Sequence, residues 1–429
     1  MRKPRLLVIA AAFFLNAAAL LSAQDVSVQA DHKDGVYAVN EKVAWTVTVK
    51  DNGAAAVGEI SYIVKAGGYK AIRAGKAALQ DGQAVVDATG STPGALLLEV
   101  QFGTNGHGLG GAVFDWQKIQ PSAPAPADFE EFWKSKIAEL NAVPMDPVLE
   151  KVEAGGDVDY WKITMGNIRG TKVYGQIARP KEAKGKLPAF LIVQWAGVYP
   201  LSRDWVINRA KAGWLAMNII AHDQPIDRDK KFYDDLSGGA LKNYPAIGSN
   251  NRDTSYFLRM YLSCYRAADY LVGRPDWDGK TLLVEGGSQG GLQAVMLAGL
   301  HPAVSAVTAS VPAGCDHTGE LVGRAPGWPQ WIANAGKDRA KAIEACKYFD
   351  VVNFARRAKC PVLVGVGLID TTCPPEGVIA MFNQLQGPKE LVILPVAGHQ
   401  DKNDSHKPYY AASWRWSEAV RQGNPLPPK

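Results

Sequence analysis

Metal-ligand spacing is missing from this chain. It contains no His-Glu-x-x-His and no Cys-x-x-Cys, which removes the zinc-hydrolase and zinc-finger patterns. The five cysteines (Cys264, Cys315, Cys346, Cys360 and Cys373) are an odd number confined to the second half. That is too sparse for a disulfide framework, and buried free thiols are expected for most of them. Charge of one sign is also scarce. Forty-seven basic against 42 acidic residues leave a net +5 over 429 residues, and no basic stripe interleaved with aromatics appears, so nothing points to nucleic acid. The acidic cluster Asp223, Asp227, Asp229, Asp234 and Asp235 lacks the glycine and terminal glutamate of a calcium loop. No metal, no cofactor and no internal repeat is expected.

Long apolar runs are limited to the N-terminus. Arg2, Lys3 and Arg5 precede Leu6 to Leu21, with Leu21-Ser22-Ala23 as a small-residue cleavage site. Asn16 interrupts the run, which is short for a bilayer span. Residues 1–23 are therefore expected to be a cleaved signal peptide. No membrane span is expected after cleavage, and the mature chain is expected in the periplasm or outside the cell.

The whole chain has the composition of a globular protein, 47% hydrophobic and 21% charged. Over residues 24–120 the hydrophobic period is two: Val43, Trp45, Val47 and Val49, then Ile60, Tyr62 and Val64, then Leu96, Leu98, Val100 and Phe102. Turn signals separate these runs, which predicts a small immunoglobulin-like β-sandwich. Residues 121–127, Pro-Ser-Ala-Pro-Ala-Pro-Ala, read as an extended linker. From 128 to 429, strands and helices alternate as in a parallel α/β sheet. Asp128 and Glu131 make a capping box for a first helix, whose Phe129, Phe132, Trp133 and Ile137 share a core face. Leu187 to Trp195 and Trp214 to Ala221 read as buried strands, and Phe257 to Val272 as an amphipathic helix.

Thr281 to Val284 is an apolar strand, and Leu292 to Leu300 is rich in helix formers. Between them stands Gly286-Gly287-Ser288-Gln289-Gly290-Gly291. A serine in a glycine turn between strand and helix is held in a strained conformation at the sheet edge, with the helix N-terminus favouring negative charge behind it. Ser288 is the candidate nucleophile. The α/β-hydrolase order of serine, acid, histidine then makes demands on the chain that follows. Val362 to Val366 leads to Asp370, and Leu391 to Leu394 leads to His399, so both lie just past strand ends on the same edge. His399 is the candidate base and Asp370 its orienting acid, ahead of His301, His317 and His406. An oxyanion hole needs two backbone donors, and the amides of Gln289 and Val198 are the candidates. Trp328 and Trp331, in the irregular stretch over the active edge, are candidate sugar contacts. Trp195, ending a strand, reads as core.

The Gly-Gly-Ser-Gln-Gly-Gly elbow, Gly-Leu-Ile-Asp-x-x-Cys-Pro-Pro at 367–375 and Gly-His at 398–399 resemble the acetyl xylan esterase and cephalosporin C deacetylase family of carbohydrate esterases. Phe132-Trp133, the helix Tyr261 to Leu271, and Cys315-Asp316 add to the likeness, which spans roughly Asp128 to Tyr409. The resemblance implies an α/β-hydrolase fold, a metal-free serine mechanism and removal of small acyl groups from xylose-based oligosaccharides. It is also compatible with a homo-oligomer. The chain departs from the family pattern at Ala221-His222-Asp223-Gln224-Pro225, where Arg-Gly-Gln is usual, and at Gln400, where glutamate is common.

Two other classes compete. A prolyl-oligopeptidase-like serine peptidase shares the elbow, but its propeller needs several times the ninety or so residues available before the linker. A non-catalytic glycan-binding protein is the other, and degenerate hydrolases of that kind typically lose a member of the triad.

Overall fold

The computed structural model describes residues 24–427. The expected signal peptide lies outside the described residues. The first strands are β1 (Gln24–Ala30), β2 (Val36–Tyr37), β3 (Lys42–Asp51), β4 (Ala54–Ala55), β5 (Glu59–Ala66), β6 (Lys70–Ala78), β7 (Gln83–Thr89), β8 (Gly94–Phe102) and β9 (Gly106–Phe114). They form two sheets. In one, β3 pairs with β1, β4 and β7; the other runs β2-β9-β8-β5-β6. The period-two pattern fills the space between them. Val43, Trp45, Val47 and Val49 of one sheet share a core with Ile60, Tyr62, Val64, Leu98 and Val100 of the other. Trp45 Nε1 donates to the Gly111 carbonyl across the gap, at 3.3 Å.

Strand β9 is glycine-rich because it is pressed on both sides, by core side chains at Gly110 and by backbone at Gly111. A Cβ on Gly110 would meet Val28 at 2.6 Å and Trp45 at 2.9 Å, and one on Gly111 would meet the Leu368 carbonyl oxygen at 2.5 Å. The first contact closes the sandwich, and the second seats it on the rest of the molecule.

The larger sheet contains β10 (Val148–Val152), β11 (Val158–Gly166), β12 (Lys172–Pro180), β13 (Leu187–Val193), β14 (Leu215–Ile219), β15 (Trp277–Gly287), β16 (Ala306–Ser310), β17 (Val362–Gly367) and β18 (Lys389–Leu394). Its order is β10-β11-β12-β14-β13-β15-β16-β17-β18. The first three pairings are antiparallel and the rest parallel. The helices are α1 (Phe129–Asn141), α2 (Asp204–Lys211), α3 (Lys230–Gly238), α4 (Tyr256–Val272), α5 (Gln289–Leu300), α6 (Arg339–Cys346), α7 (Val351–Ala355), α8 (Pro375–Gln384) and α9 (Lys407–Gln422).

One face of the sheet is covered by α1, α4, α5, α7 and α8 around a continuous apolar core. On the other, α2 packs over β11 to β14 and α9 over β15 to β18. Parallel strands covered on both faces are continuous apolar runs, which is why β13 to β17 read so plainly.

One local expectation fails. Asp128 precedes α1 but makes no cap hydrogen bond. Its carboxylate instead accepts from Arg252 Nη1 at 2.6 Å and from the Tyr348 hydroxyl. A charge-assisted bond to a guanidinium outcompetes a neutral backbone amide. The aromatic face of α1 does pack inward, on Tyr261, Phe349 and Phe354.

Candidate active site

Ser288 joins β15 to α5 at φ 54°, ψ −121°, a conformation that costs a non-glycine residue of order 1–3 kcal/mol. Its neighbours explain how the turn is held. A side chain on Gly290 would overlap the Val193 carbonyl, and one on Gly286 would overlap the backbone of Gly290. Gly287 has no such constraint, its nearest neighbour being Ser310 Cβ at 3.8 Å. The Ser288 amide donates to the Ser310 carbonyl at 2.9 Å, tying the turn to the next strand.

The loop after β17 carries Asp370, which is 2% exposed. Its Oδ1 accepts from the amides of Thr372 and Cys373, both at 2.8 Å. Its Oδ2 lies 2.8 Å from His399 Nδ1, and His399 Nε2 lies 2.9 Å from Ser288 Oγ. A carboxylate only accepts, so Nδ1 carries the proton and Nε2 accepts from the serine hydroxyl. His406 is buried behind the loop that carries His399, with Nε2 2.9 Å from the Gly398 carbonyl.

Asp370, Cys373 and His399 bring three ligand-type atoms within 4.8 Å of one another. Burial holds the Cys373 thiol well above its usual range, so the sulfur stays protonated. Both carboxylate oxygens are already engaged by hydrogen bonds. All five cysteines are free thiols, four of them buried.

The loop after β13 is knitted to the elbow by a buried network. Gln289 is fully buried; its amide side chain donates to the Gln194 carbonyl at 3.3 Å and accepts from the Tyr244 hydroxyl. Tyr199 donates to Gln194 Oε1 or the Trp195 carbonyl, at 3.0 and 2.8 Å. His222, 1% exposed, packs edge-on to Tyr244. Its Nε2 is 2.8 Å from the Gly197 carbonyl and its Nδ1 2.6 Å from the Tyr256 hydroxyl. Burial depresses its pKa to about 4, so the ring is neutral near pH 7. The carbonyl can only accept, which places the proton on Nε2. His222 thus holds the peptide that joins Gly197 to Val198, and nothing in the sequence flagged it beyond its place in the departure from Arg-Gly-Gln.

A cavity of about 1040 Å³ opens over Ser288 and His399. Trp328 lines it. Trp331 does not: it is 3% exposed, stacked on Phe349, with Nε1 donating to the Ser249 carbonyl at 2.8 Å. Trp195 reverses the core expectation. It is 46% exposed and lines the cavity, because β13 ends at Val193 and the chain turns outward. Of the rival histidines, His301 and His317 lie apart from this constellation, while His406 sits behind His399. His301 pairs with Asp269 at 3.1 Å, and His317 is buried against Trp331.

A mixed sheet of this order, with a strained serine at the strand-to-helix turn hydrogen-bonded to a histidine and through it to an acid, defines the α/β-hydrolase class. Two solved structures share the fold. An acetyl xylan esterase from Paenibacillus sp. R4 superposes with TM-score 0.62 at 25% identity, covering 71% of this chain and 98% of its own. Acetyl xylan esterase 1 from Thermoanaerobacterium sp. JW/SL YS485 superposes with TM-score 0.61 at 23% identity, covering 69% and 96%. Residues 113–417 match the family model described as acetyl xylan esterase (AXE1). The acetyl esterase Axe7A of Xylanibacter ruminicola is 30% identical over 408 residues, 92% of this chain and 93% of that protein. The chain belongs to the acetyl xylan esterase family and is a carboxylic ester hydrolase.

Proposed function

We propose that this chain is an exported serine esterase that removes acetyl groups from acetylated xylo-oligosaccharides through an acyl-enzyme. The observation that carries the reading is the unbroken hydrogen-bond chain from Ser288 through His399 to Asp370. Ser288 Oγ attacks the ester carbonyl while His399 Nε2 takes its proton; His399 then protonates the departing sugar hydroxyl. Water, deprotonated by the same nitrogen, releases acetate from Ser288. Asp370 keeps the imidazole in the required tautomer. The amides of Gln289 and Val198 receive the negative charge on the carbonyl oxygen, each worth on the order of a hundredfold to a thousandfold in rate. The network joining Gln289, Tyr244, His222 and Gly197 supports this pairing, since it fixes one donor segment relative to the other. Export rests on the basic and apolar N-terminus, and an immunoglobulin-like type for the leading sandwich on its strand pattern.

The test is turnover of 4-nitrophenyl acetate, butyrate and octanoate by wild type and Ser288→Ala, with acetate release from acetylated xylo-oligosaccharides alongside. Acetate-selective cleavage that falls by at least about a thousandfold in Ser288→Ala is the expected result. Ester cleavage that survives the substitution would overturn the reading.

A further inference from the structure

The cavity over Ser288 is far larger than an acetyl group requires; its volume is at the top of the range that accommodates a drug-sized ligand. Its shape follows from how the helices divide the sheet. Between α2 and α9 a strip at β13 and β15 is left open, so a groove runs from the serine across the sheet face. Ile192 and Glu285 form its floor, Asp204, Asn208 and Arg209 one wall, and Ser413 and Ser417 the other.

The floor is polar. Arg209 Nη2 lies 2.6 Å from Glu285 Oε1, and Glu285 Oε2 accepts from Ser413 Oγ at 3.3 Å and Thr308 Oγ1 at 3.4 Å. The ion pair keeps 33% and 24% of its side-chain surfaces open. An alkyl chain laid along this strip would strip water from these groups without replacing it, whereas a polyol would bond to them. The rim is aromatic. Trp195 packs edge-on to Trp205 on one side. On the other, Tyr410 and Trp414 stand one helical turn apart on α9, 49% and 65% exposed. Large rings left this open beside a polar trough suit the apolar faces of a sugar whose edges bear hydroxyls.

We propose that the groove between α2 and α9 is an extended subsite for the alcohol half of the ester, holding a xylo-oligosaccharide chain whose acetylated ring lies at Ser288. This rests on the esterase reading above and adds to it where the leaving chain goes. Tyr410 and Trp414 stack on ring faces, and the Arg209–Glu285 floor meets hydroxyls. Selectivity for oligosaccharide over small esters is then set by residues remote from the triad.

The experiment compares kcat/KM on acetylated xylotetraose with that on 4-nitrophenyl acetate for wild type, Trp414→Ala, Trp414→Phe and Tyr410→Ala with Trp414→Ala, each checked by its melting curve. The ratio is expected to fall about tenfold in the double variant, mainly through KM, and to recover most of its value in Trp414→Phe. Tyr69→Ala, which removes a 54% exposed ring outside the groove, is expected to leave the ratio unchanged. A double variant whose ratio stays within about twofold of wild type would overturn the proposal. Titration of Ser288→Ala with unacetylated xylohexaose, followed by tryptophan fluorescence, separates the two readings. Saturable binding that Trp414→Ala weakens supports the subsite whether or not the ester is cleaved. Ester turnover by wild type without sugar binding would remove the subsite and leave the esterase reading intact.

Discussion

His222→Phe isolates the part of the site that lies behind the reacting atoms. Phenylalanine keeps a ring edge-on to Tyr244 but deletes both ring nitrogens. The Gly197 carbonyl and the Tyr256 hydroxyl, bonded at 2.8 and 2.6 Å, are left without those partners in a buried setting. Each such group costs about 1–3 kcal/mol, so a stability loss of about 2–6 kcal/mol is expected. The effect on rate has a different origin. In a trans peptide the carbonyl of Gly197 and the amide of Val198 point in opposite directions, so the bond from His222 fixes where that amide aims. Loss of aim is a fraction of losing the donor outright. About 1.4–2.7 kcal/mol would appear as a tenfold to hundredfold fall in kcat. On the proposed role of the Val198 amide, KM should move by less than about threefold, because the charge that amide would receive exists only in the transition state.

The assay is steady-state hydrolysis of 4-nitrophenyl acetate beside a thermal melt. Two companions sharpen it. His222→Gln returns a donor to Gly197 and should recover part of kcat. Tyr256→Phe removes only the bond on the far side of the ring and should lower the melting temperature with little change in kcat. A destabilised His222→Phe with full kcat, or equal kcat losses in His222→Phe and Tyr256→Phe, would refute the assignment and leave His222 as a packing residue.

Acid should destabilise the fold over a defined window. Burial lowers His222 to about 4 and His317 to about 3, whereas both titrate near 6.5 when unfolded. As pH falls below ~6.5 the unfolded chain takes up protons that the folded chain refuses, so stability drops, levelling off only below the folded values. His222 alone contributes about 3 kcal/mol of this loss, and urea midpoints at pH 7, 5.5 and 4.5 should show it; a flat series would contradict neutral burial of these rings. Gly290→Ala is expected to be worse than Gly287→Ala, because a methyl at 290 meets the Val193 backbone and one at 287 meets nothing closer than 3.8 Å. Soluble yield and acetate turnover of the two variants, measured together, test that order.

The elbow, the acid and the histidine were legible because each follows a strand buried on both faces, and such strands are uninterrupted apolar runs. Residues 148–180 are far less legible for the opposite reason. Strands β10 to β12 are antiparallel, and β10 is largely exposed, so their pattern mixes charge with apolar residues. Tryptophan burial runs against the sequence pattern at both ends of the site. Trp195 follows a core strand and Trp331 sits in irregular chain, yet the turn after Val193 and the packing on Phe349 reverse their exposures. His222 and Asp128 were opaque because their partners, Gly197, Tyr256, Arg252 and Tyr348, are distant in sequence. Only the folded chain brings them together.

The seating of the leading sandwich has a consequence for how this chain can be cut. Leu368, two residues before Asp370, has its backbone pressed against Gly111 and its side chain against Gly35. Six residues after the acid, the buried Glu376 carboxylate takes the Ala95 amide at 2.5 Å, and the Ala325 amide reaches across to the Gly67 carbonyl at 2.8 Å. The acid's loop is therefore sandwiched between two folding units, and the smaller one serves as its backing plate. A fragment beginning at the proline-rich linker would carry every residue of the triad yet expose Leu368 and strand Glu376 without its amide. The two units are separable on paper, but in engineering this enzyme they should be moved as one piece.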